Sequence, residues 1–157
     1  MDNRVTATAS ALVVIVAAAG VAAAGSGVGD VNINMMVVVM GAAVFFVNDG
    51  VLLAFAFTAL LAAMRWQPAL GMEDAALTVI VAGMMLIRPR LPLHPFAGSL
   101  ALVALGTAAF TAIVNPALIA RAPSLIAFEI AYNVIAGCGV YILLALAYGK
   151  PLPSTRA

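Results

Sequence analysis

The stretch AGSLALVALGTAAFTAIVN, residues 97–115, contains no charged side chain. A helix needs about 20 residues to cross a hydrocarbon core about 30 Å thick, so this stretch is long enough for one crossing. Residues 7–27 and 124–148 are similarly long and apolar. We therefore predict that each of these three stretches forms a membrane-spanning helix.

The composition of the whole chain also indicates a membrane environment. Of the 157 residues, 66% are hydrophobic and 8% are charged, with seven Lys or Arg and six Asp or Glu. Soluble domains contain roughly 25% charged residues, and so few charges cannot cover a surface that faces water. We expect residues 1–157 to form a single transmembrane domain whose main partner is the lipid bilayer.

The rarest residue types exclude several kinds of chemistry. The chain has one histidine and one cysteine. Bis-histidine haem, zinc hydrolase sites, Cys-x-x-Cys redox motifs and disulfides each need at least two such groups in one chain. The net charge is +1 and no basic run is present, which argues against nucleic acid as a partner. We expect no cofactor, no metal and no nucleic acid.

Two further regions complete the predicted membrane segments. Residues 70–87 form a shorter span that begins at Glu73 and Asp74 and ends at Arg88-Pro89-Arg90, charges that suit the two ends of a helix dipole. Residues 34–64 as one helix would be about 46 Å long, which is too long for one crossing. Asn48-Asp49-Gly50 in the middle is typical of a turn. This region therefore predicts two short helices or a re-entrant hairpin.

The basic residues favour an even number of crossings within 34–64. That number places five of the seven on one side, namely Arg4, Arg88, Arg90, Lys150 and Arg156, and leaves Arg65 and Arg121 on the other. A single crossing would divide them three against four, which indicates no orientation. We predict an all-α, polytopic transmembrane helix bundle with six membrane segments and both termini cytoplasmic, in the plasma (inner) membrane. Five spans is the alternative.

A few polar side chains fall within these apolar stretches. Asn48 and Asp49 are candidates for a proton or cation relay, because a charged aspartate in hydrocarbon must be neutral, paired or in contact with water. In the alternative, they form a solvated turn at the membrane surface. Glu129, Tyr132 and Asn133 share one face of the last helix and are suited to lining an ion or solute path.

The acidic groups of the fourth and last segments have structural explanations too. Glu129 could reach the membrane surface or pair with Arg121. Glu73 and Asp74 could share a proton, or they could only begin a helix, since consecutive helical residues point about 100° apart.

The segment from Asn48 to Gly83 resembles a known family. Gly71-Met-Glu-Asp-Ala-Ala-Leu-Thr78 is similar to the Gly-Ala-Pro-Asp-Val-Ala-Leu-Thr segment of small membrane subunits and domains in Mrp-type cation/proton antiporters and the related membrane-bound hydrogenases. The preceding short helices, 35–47 and 51–64, fit the layout of that family, so the resemblance covers about residues 35–84. Glu73 replaces the family proline, and Val79 stands where a polar residue is usual. The resemblance implies a subunit of an ion-translocating assembly in which Asp74 is the most direct counterpart and Asp49 a candidate relay.

These observations favour transport of protons, cations or small solutes, by the chain alone or within a complex. The candidate transport residues are Asp49, Asp74, Glu129, Asn133, Tyr132 and Asn48. One alternative is a structural or assembly subunit that packs through small residues against copies of itself or other membrane subunits. Another is an intramembrane enzyme acting on a lipid or quinone, which would need Glu129, Tyr132, Asn133 and Arg121 to converge.

Overall fold

A computed structural model describes residues 34–47, 57 and 71–148. This part of the chain contains helices and no strand, which confirms the predicted all-α class for it. The helices are α1 (Met35–Ala43), α2 (Met72–Ile87, followed by a 3-10 turn at Arg88–Arg90), α3 (Pro95–Val114), α4 (Pro116–Arg121) and α5 (Pro123–Tyr148). The predicted segments 7–27 and 51–64 and the turn at Asn48-Asp49-Gly50 lie outside the described residues, apart from Phe57, which is helical and buried.

Within these described ranges, two helices are long and apolar enough to cross a membrane. They are α3 and α5, which are about 30 Å and 39 Å long at 1.5 Å per residue. They coincide with the predicted spans 97–115 and 124–148. A proline stands at the first position of each, where its missing N–H removes no helical hydrogen bond.

The first described helix, α1, is short and buried on every side. Its nine residues are about 14 Å long, which is half a membrane crossing. Asn34 caps its N-terminus, because the Asn34 Oδ1 accepts a hydrogen bond from the Val37 N–H at 3.2 Å. Every residue from Met36 to Phe46 is buried. A helix that is apolar all round belongs in a core. It covers the first nine residues of the short helix predicted at 35–47 and ends at Ala43, four residues earlier.

Helix α2 begins and ends at the charges that the sequence indicates. The Asp74 Oδ2 accepts a hydrogen bond from the Gly71 N–H at 2.8 Å, which satisfies a backbone donor before the first turn. The Arg88–Arg90 turn contains Pro89 and ends the helix. With 16 residues, α2 is about 24 Å long, shorter than a full crossing.

Helix α3 is central and packs against α1, α2 and α5. Three of the close approaches occur at glycines. A Cβ atom added to Gly106 would overlap the Met84 Cε of α2 and lie 2.9 Å from the Val37 Cγ1 of α1. Similar contacts join Gly41 to Val103, and Gly98 to Phe45. As α1 runs from 37 to 45, its partners on α3 run from 106 to 98, so the two helices are antiparallel.

Candidate functional site

A buried asparagine joins three helices near the middle of the bundle. Asn133 of α5 has an exposed fraction of 1%. Its Oδ1 accepts a hydrogen bond from the Asn34 N–H at 3.1 Å, and its Nδ2 donates one to the Thr107 Oγ1 at 3.0 Å. Because Asn34 contributes a backbone donor, only the amide oxygen can face α1. We call Asn34, Thr107 and Asn133 the polar cluster.

Two threonine hydroxyl groups on α3 are hydrogen-bonded along their own helix. The Thr107 Oγ1 donates to the Val103 carbonyl at 2.9 Å, and the Thr111 Oγ1 donates to the Thr107 carbonyl at 3.1 Å. Both threonines are buried. The Thr107 hydroxyl therefore donates its proton within α3 and accepts a hydrogen bond from Asn133, so it links α3 to α5. Thr111 makes no such link to another described helix.

The polar cluster lies well inside the helices rather than at their ends. Thr107 is about 18 Å from the Pro95 end of α3, and Asn133 is about 15 Å from the Pro123 end of α5, at 1.5 Å per residue. Helix α1 begins at this level. The positive end of its dipole therefore points toward the cluster, where Asn34 caps it.

The contact between α3 and α5 repeats every four residues on both helices. The hydrogen bond pairs Thr107 with Asn133, and a Cβ on Gly137 would lie 3.3 Å from the Val103 Cγ2. Because the helices are antiparallel, the next four-residue steps put Thr111 at the level of Glu129, and Ser99 at the level of Tyr141. We call these eight residues the α3–α5 seam.

The seam ends in an aromatic group at the Pro95 end of α3. Tyr141 is buried, and its ring centroid lies 5.0 Å from that of Phe46 and 5.2 Å from that of Phe96, both in edge-to-face geometry. The Tyr141 hydroxyl and the Ser99 Oγ are buried and find no hydrogen-bond partner in the described part of the chain. The two ends of the seam thus differ: hydrogen-bonded polar groups lie toward one, and rings with two unsatisfied hydroxyls lie toward the other.

The predicted residues of the last helix point in different directions. Asn133 and Gly137 face the bundle, Glu129 is half-buried, and Tyr132 points outward with an exposed fraction of 38%. Arg121 lies exposed in the last turn of α4 and makes no ion pair with Glu129. The structure does not bring these polar side chains together into one cluster.

Asp74 is buried at the start of α2, with an exposed fraction of 2%, whereas Glu73 is exposed. The two neighbouring carboxylates therefore do not converge. Met84 of α2 lies at Gly106 of α3, and Leu91, just beyond α2, lies at Gly98, so α2 is antiparallel to α3 and Asp74 lies toward the Val114 end. That end also carries Glu129. No hydrogen bond joins Asp74 to Asn133 or Thr107.

Comparison of the chain with family models, with curated proteins and with solved structures finds no match. Within residues 34–47 and 71–148, no three His, Cys, Asp or Glu side chains come together as a metal site would require. Asn48 and Asp49 lie outside the described residues. The site therefore has to be interpreted from its own geometry.

Sequence reasoning identified Asn133 but missed its partners. Asn34 stands at the start of the segment 34–64, whose length predicts short elements, and Thr107 lies in the run 97–115, whose hydropathy predicts a span; neither property indicates a hydrogen bond to Asn133. A usable signal is present: Ser99, Thr107 and Thr111 are eight and four residues apart, so they share one face of an otherwise apolar helix.

Proposed function

We propose that the chain is an integral membrane protein with six membrane segments that transports protons, cations or small polar solutes along the α3–α5 seam. The observation that carries this proposal is the polar cluster, in which Thr107 and Asn133 are buried midway along two largely apolar helices. Polar groups at that depth are costly in a bilayer and are typical of solute and ion paths.

The distribution of burial supports a membrane environment. Only 28% of the most apolar stretch of α5 is buried, whereas the core helix of a soluble protein is mostly buried. Large apolar side chains point outward from α5: Phe128, Ile135, Ile142, Leu143 and Leu146. Such a surface is unstable in water and suits lipid. In the proposed inner-membrane arrangement, both termini are cytoplasmic, and α1 is a half-crossing that belongs to the segment 34–64.

The distribution of polar groups supports a path that opens at the Val114 end of α3. Asp74 and Glu129 lie toward that end, and both are acidic, which attracts cations and protons. From Glu129 the seam continues through Thr111 to Thr107 and Asn133. Backbone that begins a helix inside a membrane is tolerated where it is enclosed by protein or lines a cavity, and Asn34 begins α1 at this level.

Transport can be measured in reconstituted vesicles. Proton flux is followed with pyranine trapped inside, sodium and potassium flux with ion-selective dyes, and glycerol entry by light scattering. Replacement of Asn133 by Leu, which removes the amide at similar volume, is expected to lower the active flux by about tenfold, equivalent to about 1.4 kcal/mol of barrier. Tyr132→Phe, on the outward face, serves as the matched control and is expected to retain full flux.

The proposal fails if wild-type vesicles pass none of these solutes faster than protein-free vesicles. It also fails if Asn133→Leu, shown to be folded by its helical circular dichroism, carries the same flux as the wild type.

A second function, as a structural subunit, is favoured by the outer face of α2. Met72, Val79 and Leu86 are exposed there, and a Cβ added to Gly83 would meet nothing within 4 Å. A flat apolar face with a small residue suits close packing of another membrane helix, from a second copy or a different subunit. Native mass spectrometry from mild detergent distinguishes the two functions: a stoichiometric membrane partner together with absent flux favours the structural role.

A further inference from the structure

We infer that Val103, held between Gly41 of α1 and Gly137 of α5, is the hydrophobic gate of the path along the α3–α5 seam. This inference rests on the proposed transport function and names the residue that closes the path.

The first observation is the fit around the Val103 side chain, which has an exposed fraction of 0%. A Cβ on Gly41 would lie 2.7 Å from the Val103 Cγ2, and a Cβ on Gly137 would lie 3.3 Å from the same methyl carbon. Two neighbouring helices, α1 and α5, thus each present a glycine to the same methyl group of Val103. The glycines let α1 and α5 close on Val103 and leave no room beside it.

The second observation is the order of polar and apolar pairs along the seam. Val103 and Gly137 form its one pair without a polar side chain, and polar pairs lie on both sides. Toward the Val114 end, Thr107 and Asn133 are hydrogen-bonded to each other. Toward the Pro95 end, the Ser99 Oγ and the Tyr141 hydroxyl are buried and lack partners among the described residues. Buried hydroxyls without partners are costly, and a hydrated solute that passed the gate would meet them next.

The physical basis is dewetting. Thr107 and Ser99 are about 12 Å apart along α3, and the described residues that meet between them, Val103, Leu100, Gly41 and Gly137, carry no polar side-chain group. Water in such a constriction finds too few hydrogen-bond partners to remain, so the section stays dry and blocks polar solutes. A smaller or polar side chain at position 103 should allow water in.

Thiol accessibility tests the gate in lipid vesicles. Cys138 is the single cysteine of the chain, so Cys138→Ala removes the background. Thr111→Cys and Ser99→Cys then place one thiol on each side of Val103. The probe is a membrane-impermeant, positively charged methanethiosulfonate added at the Val114 end. We expect Thr111→Cys to react whatever residue occupies position 103. We expect Ser99→Cys to react about tenfold faster, or more, when Val103→Ala is added, because the constriction then admits water.

The matched control is Leu102→Ala, which creates a cavity at a buried neighbour outside the seam and should leave the Ser99→Cys rate unchanged. The gate is refuted if Ser99→Cys reacts at the same rate with Val103 and with Val103→Ala, whether fast or slow, or if Leu102→Ala accelerates it equally. If Thr111→Cys does not react with the probe, water does not enter the seam from the Val114 end. In that case the proposed transport function fails as well as the gate.

A flux measurement complements the labelling. Val103→Thr keeps the shape of the side chain and adds a hydroxyl, so it should increase flux of the solute that the wild type transports. Unchanged or lower flux in a folded Val103→Thr protein would overturn the gate while leaving the transport function of the wild type standing.

Discussion

Asn133 and Thr107 offer a direct measurement of how strongly the polar cluster joins α3 to α5. The test is a double-mutant cycle with Asn133→Leu, Thr107→Val and the double variant. Thr111→Val is the matched control, since Thr111 is also buried and also donates to the carbonyl four residues earlier. Among the described helices, Thr111 has no hydrogen-bond partner outside α3. The difference between the two Thr→Val variants isolates the bond to Asn133.

The expected magnitudes follow from the hydrogen bonds. Thr107→Val removes the acceptor of the Asn133 Nδ2 and leaves this donor buried, which costs about 1–3 kcal/mol of unfolding free energy. Asn133→Leu removes both of its bonds and leaves the Asn34 N–H without its acceptor, at about 2–4 kcal/mol. In the double variant Asn133 is replaced by Leu, so no buried Nδ2 is left without an acceptor. We therefore expect its cost to fall short of the sum of the single variants by about 1–2 kcal/mol.

The assay is unfolding by SDS in mixed micelles, followed by the helical circular dichroism signal. Agreement between Thr107→Val and Thr111→Val, to within about 0.3 kcal/mol, would mean that the inter-helix bond contributes nothing measurable. Strict additivity in the cycle would likewise refute the coupling of Asn133 to Thr107 and the reasoning built on the polar cluster.

Three further outcomes can be measured by thermal unfolding in detergent. Gly106→Ala should lower the free energy of unfolding by about 1–3 kcal/mol, because the added methyl group meets Met84 and Val37. Gly83→Ala adds a methyl group in open space and should leave the stability unchanged or raise it. Equal effects of the two substitutions would contradict the packing. Tyr141→Phe should cost nothing, since the hydroxyl has no partner in the described structure, and a loss above about 1 kcal/mol would show that one exists. Asp74→Ala should lose about 0.5–2 kcal/mol with the cap on Gly71, and Asp74→Asn, which keeps an acceptor oxygen, should lose less; the reverse order would exclude capping.

The membrane-length helices were predictable because hydropathy is a local property. The prediction of helices at 97–115 and 124–148 depends only on the residues within those stretches. The prolines at 95 and 123 mark where the helices begin. The start of α2 was predictable for a similar reason, since the Gly71–Asp74 cap is made within one turn. For residues 34–64, length and the turn residues indicated short elements, and α1 agrees over its nine residues.

The candidate site could be predicted only in part, because it depends on which helices meet and in what register. Asn133 was visible as a polar residue in an apolar helix. Its partners are 99 and 26 residues away in the chain, and no local pattern joins them. Val103 is one of many valines in the sequence, and only the two glycines that approach it from different helices distinguish it. Tyr132 is one residue from Asn133, and the helix turns it outward, which a list of polar residues in sequence order does not show.

The shortness of α1 has a consequence for the order in which the protein is assembled. In two-stage membrane folding, spans that are stable alone insert first and then associate. Helices α3 and α5 meet that condition, but α1 does not, because nine residues cannot bury their own ends in a bilayer. The Asn34 N–H at its N-terminus finds its acceptor on α5, so the packing of α1 is completed only after the later part of the chain has been synthesised. A chain that ends before Asn133 therefore contains α3, against which α1 packs, but lacks the acceptor for the Asn34 N–H.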